Sequence, residues 1–116
     1  MTCNKNSTRY FSSRQEKRVA KAVNGKTVSN SGAPLFVAGD VRTDDFLIEC
    51  KTCTTEKKSF SIHKEWLEKN EEEAFAMGKS YSALCFNFGE SHNPRNYYVI
   101  DEQLFKTLVN TLEEKE

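Results

Sequence analysis

The sequence holds no run of 18 apolar residues, so no segment is long and apolar enough to span a bilayer as a helix. Its first 13 residues also lack the apolar stretch of a secretory signal, and a soluble, cytoplasmic chain is expected. Metal-binding sulfur is scarce. Cys50 and Cys53 form a lone C-x-x-C, Cys3 and Cys85 stand apart, and only His63 and His92 could help, so the second pair of a structural zinc site is missing. A redox motif wants its pair at a helix start, whereas Cys50 falls inside an apolar strand pattern. Ordinary thiols in a reducing compartment are therefore expected. There is no internal repeat and no low-complexity tract. At 116 residues the chain suits one domain around one modest core.

Net charge is also lacking, with 17 basic and 17 acidic residues, and this alone would argue against a nucleic-acid partner. The distribution argues the other way. Residues 1–32 carry seven basic groups (Lys5, Arg9, Arg14, Lys17, Arg18, Lys21 and Lys26) and a single acid, Glu16. Residues 61–116 carry six basic and eleven acidic groups. A basic first quarter can face phosphates while an acidic remainder faces solvent. A solvated helix and tail is the plain alternative.

Residues 1–12 read as a flexible basic arm, and residues 13–116 as a single domain. Ser13 to Glu16 has the spacing of a capping box, and helix formers continue to Val23, where Asn24-Gly25 supplies a stop. Residues 27–34 read as a polar loop. Two apolar runs, 35–42 and 46–52, flank Thr43-Asp44-Asp45 and predict a hairpin. A short third strand is expected over 59–62. A helix is then expected over 63–77, with Ser61 as candidate N-cap and Gly78 as stop. Strands over 82–88 and 97–100 and a last helix capped by Asp101 complete the order α-β-β-β-α-β-β-α. This is an α/β chain with a mixed central sheet flanked by helices.

Chemistry concentrates in Gly39-Asp40-Val41 and Phe46-Leu47-Ile48-Glu49-Cys50-Lys51. Side chains alternate along a strand, so Leu47, Glu49 and Lys51 share one face and Phe46, Ile48 and Cys50 the other. An acid and a base inside an apolar strand are costly unless partnered or solvated by an ion. Asp40 lies on the preceding strand, where its carboxylate can converge with that of Glu49. Two converging carboxylates favour a hard divalent cation, here Mg²⁺ with water completing the octahedron and Mn²⁺ able to substitute. Such an ion lowers the pKa of a water it holds and neutralises charge on a scissile phosphate. Lys51 can then orient the attacking water or steady the developing charge. A cross-strand ion network on a solvated sheet face is the plain alternative.

These residues resemble the PD-(D/E)xK nuclease superfamily, with Gly39 where the first motif often has its proline. The likeness covers roughly residues 13–89 and is closest to the small Holliday-junction resolvases of phages and archaea. In those resolvases a glutamate of the first helix often joins the metal site, and Glu16 stands in that place here; the capping box is the alternative account of it. The loop Ser29-Asn30-Ser31-Gly32 looks like the serine-containing loop that precedes their aspartate strand. The segment Ser59-Phe60-Ser61-Ile62, a helix with Trp66 and Ala74, and a strand from Ala83 look like their continuation. Asp44 and Asp45 could be mistaken for the metal aspartate, but they read as exposed turn residues.

The resemblance implies a restriction-endonuclease-like fold and a Mg²⁺-dependent endodeoxyribonuclease acting on branched DNA. It implies catalysis by Asp40, Glu49, Lys51 and Glu16, with Asp40, Glu49 and Glu16 holding the metal. DNA would be bound through Arg14, Lys17, Arg18, Lys21, Ser29 and Ser31. A homodimer is expected, because resolving a junction takes two paired cuts. Two alternatives stay open: the same fold serving restriction, repair or end processing, and a DNA-binding scaffold without catalysis. Lys57 and Lys58 could touch the DNA backbone. His63 reads as a surface residue, Trp66 and the phenylalanines as core, and Glu71-Glu72-Glu73 as a solvated helix face.

Overall fold

The computed structural model describes residues 8–28, 40–89 and 94–114, with side chains from Ser13 onward. Eight elements follow in the order α1 (Thr8–Val23), β1 (Lys26–Thr27), β2 (Asp40–Arg42), β3 (Phe46–Lys51), α2 (Lys64–Ala76), β4 (Tyr81–Phe86), β5 (Tyr97–Val99) and α3 (Glu102–Leu112). The five strands form one mixed sheet in sequential order, antiparallel throughout except for the parallel pair β3–β4. The parallel pair requires a crossover, and α2 provides it.

The order of helices and strands matches the expected one, but two strands differ. The strand expected over 59–62 is absent. Both edges of β3 are already taken by β2 and β4, so the segment leaving β3 finds no free edge and runs on to α2. In its place stands β1, two exposed residues whose pairing with Val41 and Arg42 comes entirely from β2. No local pattern marks it.

The first helix begins at Thr8, so residues 8–12 are helical rather than part of an arm. Ser13 lies inside the helix and is not its N-cap. Once a helix is nucleated, each added residue gains a hydrogen bond, and these residues extend it. The expected stop is present. Asn24 takes φ 56°, and Gly25 N–H donates to Ala20 O at 2.8 Å. Glycine is required at 25 because a Cβ there would lie 2.6 Å from Arg42 O on β2.

Helix α2 is capped by the extended backbone of His63 rather than by Ser61, and no side chain bonds its N-terminus. Gly78, at φ +74°, ends it, with Lys79 N–H donating to Ala74 O at 2.8 Å. The Asp101 carboxylate accepts from Leu104 N–H at 2.9 Å and caps α3 as expected.

The core lies between α1 and one face of the sheet, where Val19 packs with Val41, Ile48, Cys50, Ala83 and Cys85. Helix α2 covers the other face. Its buried Asn70 donates to Ala83 O at 3.0 Å and to Leu47 O at 3.4 Å, tying the helix across the parallel pair. Cys50, Cys53 and Cys85 are free thiols, and a shared hydrogen bond to Cys85 together with burial pushes the Cys50 thiol up. No helix among the described residues is long and apolar enough to cross a membrane.

Candidate active site

The hairpin β2–β3 sets the geometry of the site. Its turn is closed by Thr43 N–H donating to Phe46 O and Phe46 N–H donating to Thr43 Oγ1, both at 3.0 Å. Lys79 Nζ reaches in from beyond α2 and donates to Thr43 O at 2.7 Å. With the turn held, Asp40 falls directly opposite Glu49 in the antiparallel register. Directly opposed residues point to the same face, so the two carboxylates converge as the hairpin reading expected. Val28 N–H donates to Asp40 O at 3.0 Å and fixes the aspartate from the outer side. Asp44 and Asp45 are exposed in the turn, away from this face.

Lys51, the last residue of β3, shares the face. Its Nζ stands 3.2 Å from Glu49 Oε2 and 4.4 Å from the centroid of the Trp66 ring. Asp40 is 5% exposed, and its Oδ1 is buried without a hydrogen-bond partner. Burial first, and then the negative charges of Glu49, Glu73 and Glu16, together push the Asp40 carboxyl up to about 7, with Lys51 opposing them. A buried carboxyl with an orphaned oxygen, facing a second carboxylate, is a position that a cation would stabilise.

Glu16 sits mid-helix on α1, half-buried. Burial raises its carboxyl and Lys17 lowers it. The capping-box account of Glu16 falls with Ser13, and its charge acts on Asp40 through space. Glu73 was missed by sequence reasoning. Glu71 and Glu72 are exposed as expected, but Glu73 is half-buried and belongs to the field around Asp40. The available signal was spacing: Glu73 follows buried Asn70 by three residues and precedes buried Ala74.

Among the described residues no group of three or more histidine, cysteine, aspartate or glutamate side chains is disposed to hold a metal ion. A hydrated Mg²⁺ asks for less, since one or two carboxylates and several waters suffice. Asp40 and Glu49 fit that requirement.

The residues expected to meet DNA divide in two. Arg14, Lys17, Arg18 and Lys21 follow one another at the i, i+3, i+4, i+7 spacing of a single helix face, while Gln15 and Val19 are buried on the other. Lys57 and Lys58 are exposed beyond β3, and His63 is exposed at the mouth of α2. Ser29, Ser31 and Gly39 lie outside the described residues. No family model, curated protein or solved structure matches the chain.

Proposed function

We propose that this protein is a divalent-metal-dependent DNA endonuclease with a restriction-endonuclease-like fold, acting on four-way junctions or similar branched DNA. The observation that carries the reading is the pairing of Asp40 with Glu49 across the hairpin, with Lys51 on the same face and an Asp40 oxygen buried without a hydrogen-bond partner. Mg²⁺, with Mn²⁺ able to substitute, would be held by Asp40 and Glu49. When bound it supplies Lewis acidity, making water more acidic and offsetting charge on the scissile phosphate. Glu16 adds negative charge to the same field. Lys51, a half-buried donor beside Glu49, orients the attacking water toward phosphorus and steadies the charge that develops on the phosphoryl oxygens. The basic face of α1 supplies affinity for the phosphate backbone.

The test is incubation of wild type and Asp40→Ala with a labelled four-way junction and a matched linear duplex, in Mg²⁺ or in EDTA. Symmetric metal-dependent nicks in the junction alone, lost in the variant, are the expected result. Equal cutting of both substrates keeps the nuclease and moves it to another DNA task, such as restriction, repair or end processing. Binding without cutting in Mg²⁺ and in Mn²⁺ leaves a DNA-binding scaffold.

A further inference from the structure

Lys51 is held from two sides, and only one of them is acidic. Glu49 Oε2 stands 3.2 Å from its ammonium, and the Trp66 ring centroid 4.4 Å. Trp66 belongs to the first turn of α2, where its backbone N–H closes on His63 O at 3.0 Å. Its ring is kept in place by His63, with centroids 4.4 Å apart, and by Phe60 at 6.2 Å. Phe60 in turn stacks on Phe86 at 5.0 Å, and Phe86 is the strand partner of Lys51 in the β3–β4 register. The aromatic set is thus anchored to the same two strand ends as the lysine.

We infer that Trp66 is a positioning residue, whose ring draws the Lys51 ammonium to the outer oxygen of Glu49, at the flank of the site, so that Asp40 and the other Glu49 oxygen stay open to a divalent cation. The inference deepens the nuclease reading and rests on it for its consequence in catalysis. A lysine on a four-carbon stem beside two carboxylates would otherwise settle between them, where its charge occupies the place of the metal. The face of an indole is the strongest aromatic counterweight available to it. Ordinary packing of an aromatic core edge would need a side chain of this bulk but not a π face, and that difference is measurable.

Three variants, Trp66→Phe, Trp66→Tyr and Trp66→Leu, separate the two accounts. In the wild type, NMR should place the Lys51 ε-methylene protons upfield of a free lysine, because they lie over a ring; an unshifted signal overturns the inference whatever the protein cleaves. Titration with Mg²⁺ alone, followed through the Asp40 and Glu49 amide signals, should give half-saturation close to wild type for the Phe and Tyr variants. For Trp66→Leu the required Mg²⁺ should rise by about tenfold, with junction cutting slowed at subsaturating metal and largely restored at high metal. Equal behaviour of the Leu and Phe variants overturns the inference. The same order of Mg²⁺ affinities in a protein that cuts no DNA keeps the lysine clamp and discards the nuclease. Should Trp66→Leu fail to fold, Lys51→Met tests the contact from the other side. The chain has a single tryptophan, so its emission should shift when the ammonium is removed, and unchanged emission overturns the contact.

Discussion

Asp40 concentrates the conflict between stability and function in this protein. Its folded carboxyl titrates at about 7, against an ordinary value of 3.8, so the folded chain holds that proton more tightly than the unfolded one. Stability is therefore fullest below the unfolded value and declines as pH rises from about 4 towards 7. At roughly 1.4 kcal/mol per pH unit of displacement, the loss approaches about 4 kcal/mol at neutral pH. Asp40→Asn removes the charge and keeps the shape. In EDTA at pH 8 it should melt several degrees above wild type, and its melting temperature should vary less between pH 4 and 7. Adding Mg²⁺ should reverse the order. Wild type should gain about 3 kcal/mol at a hundredfold excess over Kd, while the Asn variant gains little and cuts nothing. A wild type whose melting temperature is flat from pH 4 to 7 would remove the buried charge from the account.

At the scale of the elements, α1 and α2 each carry a divided load. Helix α1 buries Gln15 and Val19 on one side and presents Arg14, Lys17, Arg18 and Lys21 on the other. Its packing can therefore survive changes to its charge. The double variant Lys17→Glu, Lys21→Glu should keep its fold by circular dichroism and weaken duplex binding. The slope of log K against log salt should become shallower by about 0.9 for each phosphate that the helix no longer neutralises. An unchanged slope would place the DNA on another face. Helix α2 behaves differently, because its hold on the sheet is a donor. The Asn70 amide gives its hydrogens to Leu47 O and Ala83 O in a buried position. Asn70→Asp sets a carboxylate against two carbonyls without a proton to offer, and should cost about 3–5 kcal/mol in denaturant melts. A loss under about 1 kcal/mol would mean that the helix docks by shape alone.

For the molecule as a whole, the apolar surface is uneven. Along α3 only Leu104 is buried, while Phe105, Leu108 and Leu112 are 58%, 41% and 83% exposed at the spacing of one helical stripe. Paired cuts in a junction would need two sites related by symmetry, and this stripe is a surface on which two copies could meet. Sedimentation at rising concentration should show self-association, and Leu112→Glu should abolish it; a monomer at all concentrations would remove the paired-cut geometry. The sheet around the site shows how local and long-range information divide. Alternation in Phe46 to Lys51, the Thr43-Asp44-Asp45 turn, the Asn24-Gly25 and Gly78 stops and the Asp101 cap were legible because each is settled by chemistry within a few residues. The facing of Asp40 and Glu49 was legible for the same reason, since a tight hairpin fixes register locally. Strand β1 was not legible, because two polar residues become a strand only when Arg42 and Val41 lie beside them. Nor was the loss of the 59–62 strand, which followed from β3 having no free edge. The start of α1 and the approach of Glu73 and Trp66 to the site likewise depended on helix extension and docking. Composition and spacing determined which side chains could do chemistry; the tertiary structure decided which charges act on the buried Asp40, because burial and proximity arise only once α1 and α2 close over the sheet.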